Sequence, residues 1–264
     1  MKRIVVFVSL LVALSLMLAG CGGAEAANHL EAIKEAGRIK VGTSADYPPF
    51  ESVDESGNKV GFDIELMEEV ADRLGVKLEW VDMPFDSLIA AVQEGKIDAS
   101  ISAFNYTEER DQTIDFSDPY YTSEDAFTVA EGFTGAIVNP EDVANFKVGV
   151  QTGTTQDGWL TDTLVADGAL PEENLFRYDR VDQAMLDLKN GRLEVMMSDY
   201  VPAQALIKQR GGMEIVYHGV LSSGPVNIVI PNEDVELKQA INEIIKQLQD
   251  EGFIDELAVK YFAE

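Results

Sequence analysis

Cysteine is nearly absent from this sequence, because its 264 residues contain only one, Cys21. A single cysteine cannot form an internal disulfide, and it leaves the rest of the chain without a thiol nucleophile or a cysteine-based metal site. Histidine is almost as scarce, since only His29 and His218 are present. The sequence also has no nucleophile elbow, metal-ligand cluster or phosphate-binding loop. We therefore predict no metal, no cofactor and no catalytic residue.

Positively charged residues are also few. The chain has 20 Lys and Arg residues against 47 Asp and Glu residues, which gives a formal net charge of −27. This balance excludes a nucleic-acid partner, whose phosphates would be repelled, and it disfavours binding to anionic lipid head groups. An acidic surface favours solubility and mildly favours cationic ligands. The hydrophobic fraction of 46% and the chain length suit a globular protein of one large domain or two lobes.

Long apolar runs are missing after residue 20. Before that point, Lys2 and Arg3 precede the apolar run Ile4–Leu18, and its position and length are typical of a signal peptide rather than a membrane span. The run ends in Leu18-Ala19-Gly20-Cys21, which resembles a bacterial lipobox. The resemblance implies that residues 1–20 are removed, that Cys21 carries a lipid anchor and that residues 21–27 are a tether. The expected location is extracytoplasmic, anchored to the cell membrane; a plain secretory signal with an incidental cysteine is the alternative.

The rest of the chain alternates between strand and helix patterns. Strands are predicted at Ile39–Thr43, Val76–Val81, Ile97–Ile101, Phe146–Val150, Asn174–Tyr178, Leu193–Met197, Glu214–Tyr217 and Val226–Ile230. Helices are predicted at Asn28–Ala36, Asp63–Leu74, Asp86–Glu94, Thr154–Ala166, Asp179–Asn190, Asp199–Gln209, Val235–Gln249 and Phe253–Phe262. This order predicts an α/β protein with mixed, mostly parallel sheets flanked by helices.

A faint internal repeat favours two related lobes. Lys40-Val41-Gly42 is echoed by Lys147-Val148-Gly149, and the unit 92–98 is echoed by 188–194. In open α/β sheets, ligands bind beyond the carboxyl ends of the strands. Two lobes that face each other would therefore place four strand ends around one cleft.

One of these strand ends carries a candidate anion site. The stretch Ser102–Arg110 follows the strand Ile97–Ile101 and begins a helix, for which Thr107 is the predicted N-cap. Free N–H groups at a helix start and the guanidinium fork of Arg110 together suit a carboxylate. Taken alone, the stretch favours an ordinary turn in which Arg110 pairs with an acidic side chain in solvent, because short motifs often match by chance.

Several motifs in order resemble the bacterial extracellular solute-binding proteins for polar amino acids (family 3), which supply ABC importers. The resemblance covers about residues 28–264 and depends on the ordered set of motifs rather than on any single one. The motifs are Gly42–Glu51, Gly61–Ile64, Gly95–Asp98, Thr107–Arg110, Asp115–Tyr121, Val148–Thr155 and Gly191-Arg192 leading to Asp199.

The family resemblance implies a two-lobe periplasmic-binding-protein fold of type II-like topology. The first lobe would be discontinuous, with residues 28–124 and 221–264, and the second lobe would be 125–220. Two strand-like crossings, near Glu124–Ala130 and Val216–Pro225, would form the hinge. The implied partners are a small amino acid and an ABC permease in the membrane, and the protein itself is expected to be a monomer.

The resemblance also implies roles for residues of the cleft. Arg110 would hold the α-carboxylate of the ligand, Asp199 would take the α-ammonium group, and the aromatic rings of Tyr47 and Phe85 would enclose the ligand side chain. The complete set of predicted ligand-binding residues is Ser44, Asp46, Tyr47, Phe85, Ser102, Ala103, Phe104, Asn105, Arg110, Gln151, Thr154, Thr155 and Asp199. Thr154, Thr155 and Asp199 also suit helix N-caps, and Phe85 also suits simple core packing.

Some positions depart from the family pattern. Ser44 stands where an Asp is common, while Asp46 follows two residues later, and Phe104 and Asn105 replace smaller residues. Gln151 occupies a position that varies with specificity. These departures leave the preferred ligand side chain open. The acidic charge, Asp46 and the aromatic pair lean toward arginine, lysine, histidine or glutamine as the ligand.

Two other functions remain open at this stage. The first is a cyclohexadienyl or arogenate dehydratase-like enzyme on the same scaffold, which would need a carboxyl or imidazole group beside a leaving hydroxyl. His29 lies near the tether and His218 near a crossing, so neither is a promising candidate for that role. The second is a ligand-sensing module for a signalling receptor.

Overall fold

The computed structural model describes residues 28–263. The predicted signal peptide, the tether and the lipidation site at Cys21 therefore lie outside the described residues. Within residues 28–263, no helix is long and apolar enough to cross a membrane.

The first lobe is built around a six-stranded sheet. Its strands are β1 (Arg38–Thr43), β5 (Lys77–Asp82), β6 (Ala99–Asn105), β7 (Ile114–Phe116), β8 (Tyr121–Thr122) and β14 (Pro225–Pro231). They lie in the order β5-β1-β6-β14-β7, with β8 paired to β14. A small three-stranded sheet beside it contains β2 (Asp46–Tyr47), β3 (Glu51–Val53) and β4 (Lys59–Val60).

The second lobe is built around a five-stranded sheet. Its strands are β9 (Asp125–Ala130), β10 (Val148–Gln151), β11 (Leu175–Tyr178), β12 (Val195–Asp199) and β13 (Met213–Gly219). They lie in the order β11-β10-β12-β9-β13. Only residues 123–124 and 220–224 run between β8 and β9 and between β13 and β14, so the chain passes from one sheet to the other twice.

Helices pack on both sheets, and their bounds agree with the sequence predictions to within about two residues. They are α1 (His29–Ala36), α2 (Phe62–Leu74), α3 (Phe85–Gln93), α4 (Glu108–Asp111), α5 (Thr155–Trp159), α6 (Val181–Lys189), α7 (Tyr200–Arg210), α8 (Val235–Asp250) and α9 (Phe253–Phe262). The helix predicted at Thr154–Ala166 is divided, because a π-helical segment, Leu160–Val165, follows α5. Short 3-10 turns lie at Pro140–Asn145 and Glu172–Asn174.

The predicted α/β class with mixed sheets and flanking helices is confirmed, but the sheets are less parallel than expected. Each sheet has two parallel strand pairs, beside three antiparallel pairs in the first sheet and two in the second. The antiparallel pairs arise because β14 returns from the far end of the chain and β9 enters the second sheet from the first lobe. Sequence periodicity does not report such long-range pairing.

Local sequence signals explain where the helices begin and end. The side chain of Asn28 accepts a hydrogen bond from the backbone N–H of Glu31, which is the N-cap arrangement predicted for α1. Gly37 and Gly75 end α1 and α2 in the left-handed region, at φ values of 65° and 77°. The predicted apolar stripe of α8 is buried in the hydrophobic core, where α8 packs against α1, α2 and α9; its members are Leu237, Ile241, Ile244, Ile245 and Leu248.

A histidine joins α1 to the body of the first lobe. His29 Nδ1 lies 2.5 Å from Asp234 Oδ2, and His29 Nε2 lies 3.1 Å from Asp98 Oδ1. Asp234 also accepts from the backbone N–H of Leu237 at the start of α8. The hydrogen bonds to Asp234 and Asp98 raise the pKa of His29 from 6.5 to about 9, so its imidazolium form bridges two carboxylates at neutral pH.

This bridge predicts a pH-dependent contribution to stability. Because the pKa of His29 is higher in the folded chain, its stabilisation is complete below pH 6.5 and is lost as the pH rises through about 9. We expect urea denaturation to show that the difference in unfolding free energy between wild type and His29→Gln shrinks over that range. His218→Gln, at an exposed histidine, is the control. A difference for His29→Gln that stays constant with pH would contradict the assignment.

Candidate ligand site

A cavity lies between the two lobes, at the carboxyl ends of strands from both sheets. The strands β1, β6, β10 and β12 end at or next to Ser44, Asn105, Gln151 and Asp199, and all four of these residues line the cavity. The space between its lining atoms amounts to about 330 Å³, part of which is open to solvent. Its lining residues are Ser44, Tyr47, Glu51, Phe85, Ser102, Ala103, Asn105, Arg110, Gln151, Thr154, Thr155, Gln156 and Asp199.

The structure brings together eleven of the thirteen predicted site residues and leaves two outside the lining. Phe104 is fully buried behind the wall and stacks on Phe85, with ring centroids 4.5 Å apart. The carboxylate of Asp46 accepts from the hydroxyl of Ser44 at 2.7 Å and from the backbone N–H of Val181 at 2.6 Å. Asp46 therefore contacts the second lobe directly instead of facing the cavity.

The guanidinium group of Arg110 has no carboxylate partner within the described residues. Its Nη1 donates to the carbonyl of Asn105 and its Nη2 to the carbonyl of Gly153, both at 2.8 Å. The guanidinium carbon also lies 5.7 Å and 5.5 Å from the ring centroids of Phe85 and Phe104. Burial lowers the pKa of Arg110 to about 10, so it remains a cation at neutral pH. The alternative in which Arg110 pairs with an acidic residue in solvent is therefore wrong.

The carboxylate of Asp199 lies on the opposite wall and has no cationic partner within the described residues. Its Oδ2 accepts from the Tyr47 hydroxyl at 2.9 Å, and its Oδ1 accepts from Gln156 Nε2 at 3.1 Å and from Ser223 Oγ at 2.6 Å. Burial, with a contribution from the nearby charge of Asp125, raises the pKa of Asp199 to about 6. The cavity thus has a cation without a counter-ion on one wall and an anion without a counter-ion on the other.

Two aromatic rings and several small polar groups complete the walls. Tyr47 and Phe85 are both almost fully buried, and Tyr47 also accepts from the backbone N–H of Asp199 at 2.8 Å. Thr154 caps α5, because its side chain accepts from the backbone N–H of Asp157, as its alternative role predicted. Thr155 Oγ1 reaches Asn105 Oδ1 across the lobes at 3.3 Å.

Two lining residues, Glu51 and Gln156, were not among the sequence predictions. Gln156 Nε2 donates to Asp199 and also to Asp125 at 3.0 Å, so it links two buried carboxylates. Glu51 follows the Pro-rich loop, in a motif that the sequence analysis noted without assigning the residue a role. The position of an acidic residue directly after a predicted site loop is the sequence signal that could have identified Glu51. Neither histidine of the chain lines the cavity.

Beyond the cavity, Arg180 forms a second contact between the lobes, which we call the Arg180 bridge. Its Nη1 lies 2.9 Å from Asp82 Oδ1 and 3.4 Å from Asp46 Oδ1. Together with the Tyr47–Asp199 and Arg110–Gly153 hydrogen bonds, this bridge holds the two lobes in direct contact. The structure is therefore a closed arrangement.

Comparison with known proteins identifies the family. Residues 39–264 match the sequence profile of the bacterial extracellular solute-binding proteins, family 3, and the chain belongs to this family. It is 32% identical to the lysine/arginine/ornithine-binding periplasmic protein of Escherichia coli (strain K12), over 99% of this chain and 97% of that protein.

Solved structures show the same fold. A mutant of ArgBP from T. maritima superposes with a TM-score of 0.83 at 38% identity, covering 89% of this chain and 99% of that one. An ancestral amino acid-binding protein, described as a precursor of cyclohexadienyl dehydratase, superposes with a TM-score of 0.77 at 33% identity, covering 89% of this chain and all of that one.

The unpaired charge of Asp199 predicts a conflict between stability and ligand binding. Its pKa is 3.8 ordinarily and about 6 in the folded chain, so stability decreases as the pH rises from 3.8 through about 6. We expect Asp199→Asn to raise the unfolding free energy of the ligand-free protein at neutral pH, by on the order of 1 kcal/mol in urea denaturation. Asp162→Asn, at an exposed position of the same lobe, is the control. A less stable Asp199→Asn protein would show that the hydrogen bonds of the carboxylate outweigh its burial penalty.

Proposed function

We propose that this chain captures a polar or basic L-amino acid between its lobes and delivers it to an ABC importer. One observation supports this most strongly. Arg110 and Asp199 line the same cavity, and neither has a counter-ion among the described residues. An α-amino acid is a zwitterion, so it supplies both missing charges at once. Buried charges are costly unless they are paired, and the ligand would complete both pairs.

The arrangement suggests how the backbone of the ligand is held. The guanidinium of Arg110 would bind the α-carboxylate through two parallel hydrogen bonds, a geometry that lysine cannot offer. Backbone N–H groups near Asn105 and Thr155 would add further donors. Asp199 would take the α-ammonium group, together with a carbonyl of Ser102 or Ala103. The present hydrogen bond from Arg110 to the carbonyl of Gly153 would be exchanged for one to the ligand.

The ligand side chain would lie between the rings of Tyr47 and Phe85, toward Ser44, Gln151 and Glu51. Aromatic faces bury methylene groups and attract cations. The lining has two acidic residues, Glu51 and Asp199, against one basic residue. We therefore propose a cationic or neutral polar side chain, with arginine, lysine, histidine and glutamine as the candidates. Relatives named for lysine, arginine and ornithine support the same choice.

Closure of the lobes would be the mechanism. We propose that residues 28–124 and 221–264 form the first lobe and residues 125–220 the second, with the two connecting segments as the hinge. A ligand that satisfies both Arg110 and Asp199 binds only the closed form, so it shifts the population toward that form. A membrane permease would recognise the closed shape. The lipobox-like sequence at Cys21 supports a lipid anchor that holds the protein outside the cytoplasm, where we propose that it acts as a monomer.

One observation favours a second candidate function. A structural neighbour is described as a precursor of cyclohexadienyl dehydratase, and the buried carboxyl group of Glu51 lines the cavity, where a general acid would be needed. A turnover assay with prephenate and arogenate tests this alternative directly. We expect no turnover from the purified protein.

The first test is a thermal-shift screen of the delipidated chain against the common amino acids, after unfolding and refolding to remove any bound ligand. A ligand at a hundred times its dissociation constant should stabilise the protein by about 2.7 kcal/mol. Absence of stabilisation by every amino acid would contradict the proposed function.

Arg110→Ala tests the assignment of the carboxylate site. Removing the guanidinium leaves the α-carboxylate buried without a partner, so we expect calorimetry to show about a hundredfold or greater loss of affinity with the fold intact. Arg177→Gln is the control, because the ion pairs of Arg177 with Asp157 and Glu172 stay within the second lobe. Unchanged affinity in Arg110→Ala would show that the carboxylate binds elsewhere.

Arg180→Gln tests the contribution of closure. The variant removes the bridge between the lobes and a hydrogen bond from Arg180 Nη1 to the hydroxyl of Ser44, but no side chain that lines the cavity, so we expect it to destabilise the closed form. We expect a roughly two- to fivefold loss of affinity, since partly exposed ion pairs contribute up to about 1 kcal/mol. Arg177→Gln again serves as the control. If both variants bind equally well, the Arg180 bridge does not stabilise the closed form.

A further inference from the structure

Two carboxyl groups lie together behind the Ser102–Ala103 wall of the cavity, and one of them, that of Glu51, is also part of the lining. Glu51 begins β3, and Asp63 lies in the first turn of α2. Both side chains are completely buried, and they lie within hydrogen-bonding reach of each other. Neither forms an ion pair with a lysine, arginine or histidine in the described part of the chain. We call these two residues the carboxyl pair.

One oxygen of each carboxyl group is well satisfied. Glu51 Oε1 accepts from the hydroxyl of Ser102 at 2.5 Å. Asp63 Oδ2 accepts from the backbone N–H of Ala103 at 2.8 Å and from the hydroxyl of Tyr120 at 2.9 Å. The other two oxygens, Glu51 Oε2 and Asp63 Oδ1, are buried and have no hydrogen-bond donor. Buried polar atoms without a partner are rare, and each one needs a physical explanation.

A single shared proton accounts for both unsatisfied oxygens. An ionised carboxylate only accepts hydrogen bonds, whereas a protonated carboxyl group also donates one. Two ionised carboxylates in contact would repel each other, and one of them then keeps its proton. Burial raises the pKa of both groups, and the charge of Asp63 raises the pKa of Glu51 further. The ionisable neighbours are Asp46, Tyr47 and Tyr120, and none of them supplies a positive charge.

The carboxyl pair holds the wall of the ligand site. Ser102 and Ala103 line the cavity, and Ser102 Oγ also accepts from the backbone N–H of Ser44 at 3.1 Å. Ala103 has a φ of 47°, in the left-handed region that non-glycine residues seldom adopt. The carboxylate of Asp63 accepts from the N–H of this strained residue, and so fixes the direction of the neighbouring carbonyl groups.

We propose that Glu51 and Asp63 share one proton and together position the Ser102–Ala103 wall of the amino-acid site. The assignment of that wall to the α-ammonium group rests on the proposed function. With one proton, the carboxyl pair carries one negative charge and every oxygen has a hydrogen-bond partner. When the pair loses its proton, the two anions repel and the wall moves, so affinity for the amino acid falls at alkaline pH.

Infrared difference spectroscopy tests whether the carboxyl pair holds a proton, and it requires no ligand. We expect the carbonyl stretch of one protonated carboxyl group in the wild type at neutral pH, and its loss in both Glu51→Gln and Asp63→Asn. Two isosteric variants are used so that a folding defect in one leaves the test intact. Glu55→Gln, at an exposed turn residue, is the control and should keep the band. A wild type without the band, or a band that persists in both variants, would overturn the shared proton.

Calorimetry across the pH range tests the positioning role. The ligand's own ammonium group loses its proton at alkaline pH, so the informative quantity is the ratio of wild-type to Glu51→Gln affinity. The amide of Gln keeps a donor and an acceptor but does not titrate, so we expect this ratio to fall by about tenfold toward alkaline pH. If the affinities of wild type and Glu51→Gln change with pH in parallel, the proposed positioning role is wrong. If no amino acid binds the wild type, the proposed function fails, while the infrared result still decides whether the proton is shared.

Discussion

The separation of one partly buried cation and one buried anion across a single cavity is the constraint on which this structure depends. Arg110 and Asp199 each have only uncharged hydrogen-bond partners among the described residues, although a direct ion pair would be the cheaper arrangement. The two groups belong to different lobes, since Arg110 lies in α4 after the first-lobe strand β6, and Asp199 ends β12 of the second sheet. Both side chains line the same cavity.

The path of the chain explains how two sheets serve one cavity. The first sheet is completed by β14, which follows all strands of the second sheet in the chain. Each crossing segment is therefore held by a strand of one sheet at its first end and by a strand of the other sheet at its second end. Contacts between the lobes inside the cavity join one charged group to one neutral group, whereas those at its margin join oppositely charged groups. Tyr47 bonds Asp199 within, whereas Arg180 joins Asp46 and Asp82 at the margin. Under the proposed function, an amino acid would replace bonds between a charged and a neutral group with ion pairs, while the marginal ion pairs would remain.

Local features could be predicted from the sequence, because they depend on neighbouring residues. The Asn28 cap, the glycine helix ends, the strand ends and the apolar stripe of α8 are of this kind. Features that depend on distant residues could not be predicted. Asp46 was expected in the cavity but meets the start of α6, which lies 135 residues later in the chain. Glu51 and Gln156 gave no periodic signal, since their partners lie on other elements.

The charges around the cavity also bear on the choice of ligand. Asp199 contributes one negative charge and Arg110 one positive charge, and these match the two ends of an amino-acid backbone. The carboxyl pair of Glu51 and Asp63 adds a further negative charge when it holds one proton, and the lining offers no second cation to balance it. A neutral side chain leaves that charge uncompensated, whereas a basic side chain neutralises it. The low local dielectric constant makes the electrostatic difference between a neutral and a basic side chain larger than it would be in water. Under the proposed function, the buried acids proposed to position the wall would therefore also favour a cationic ligand over an acidic one.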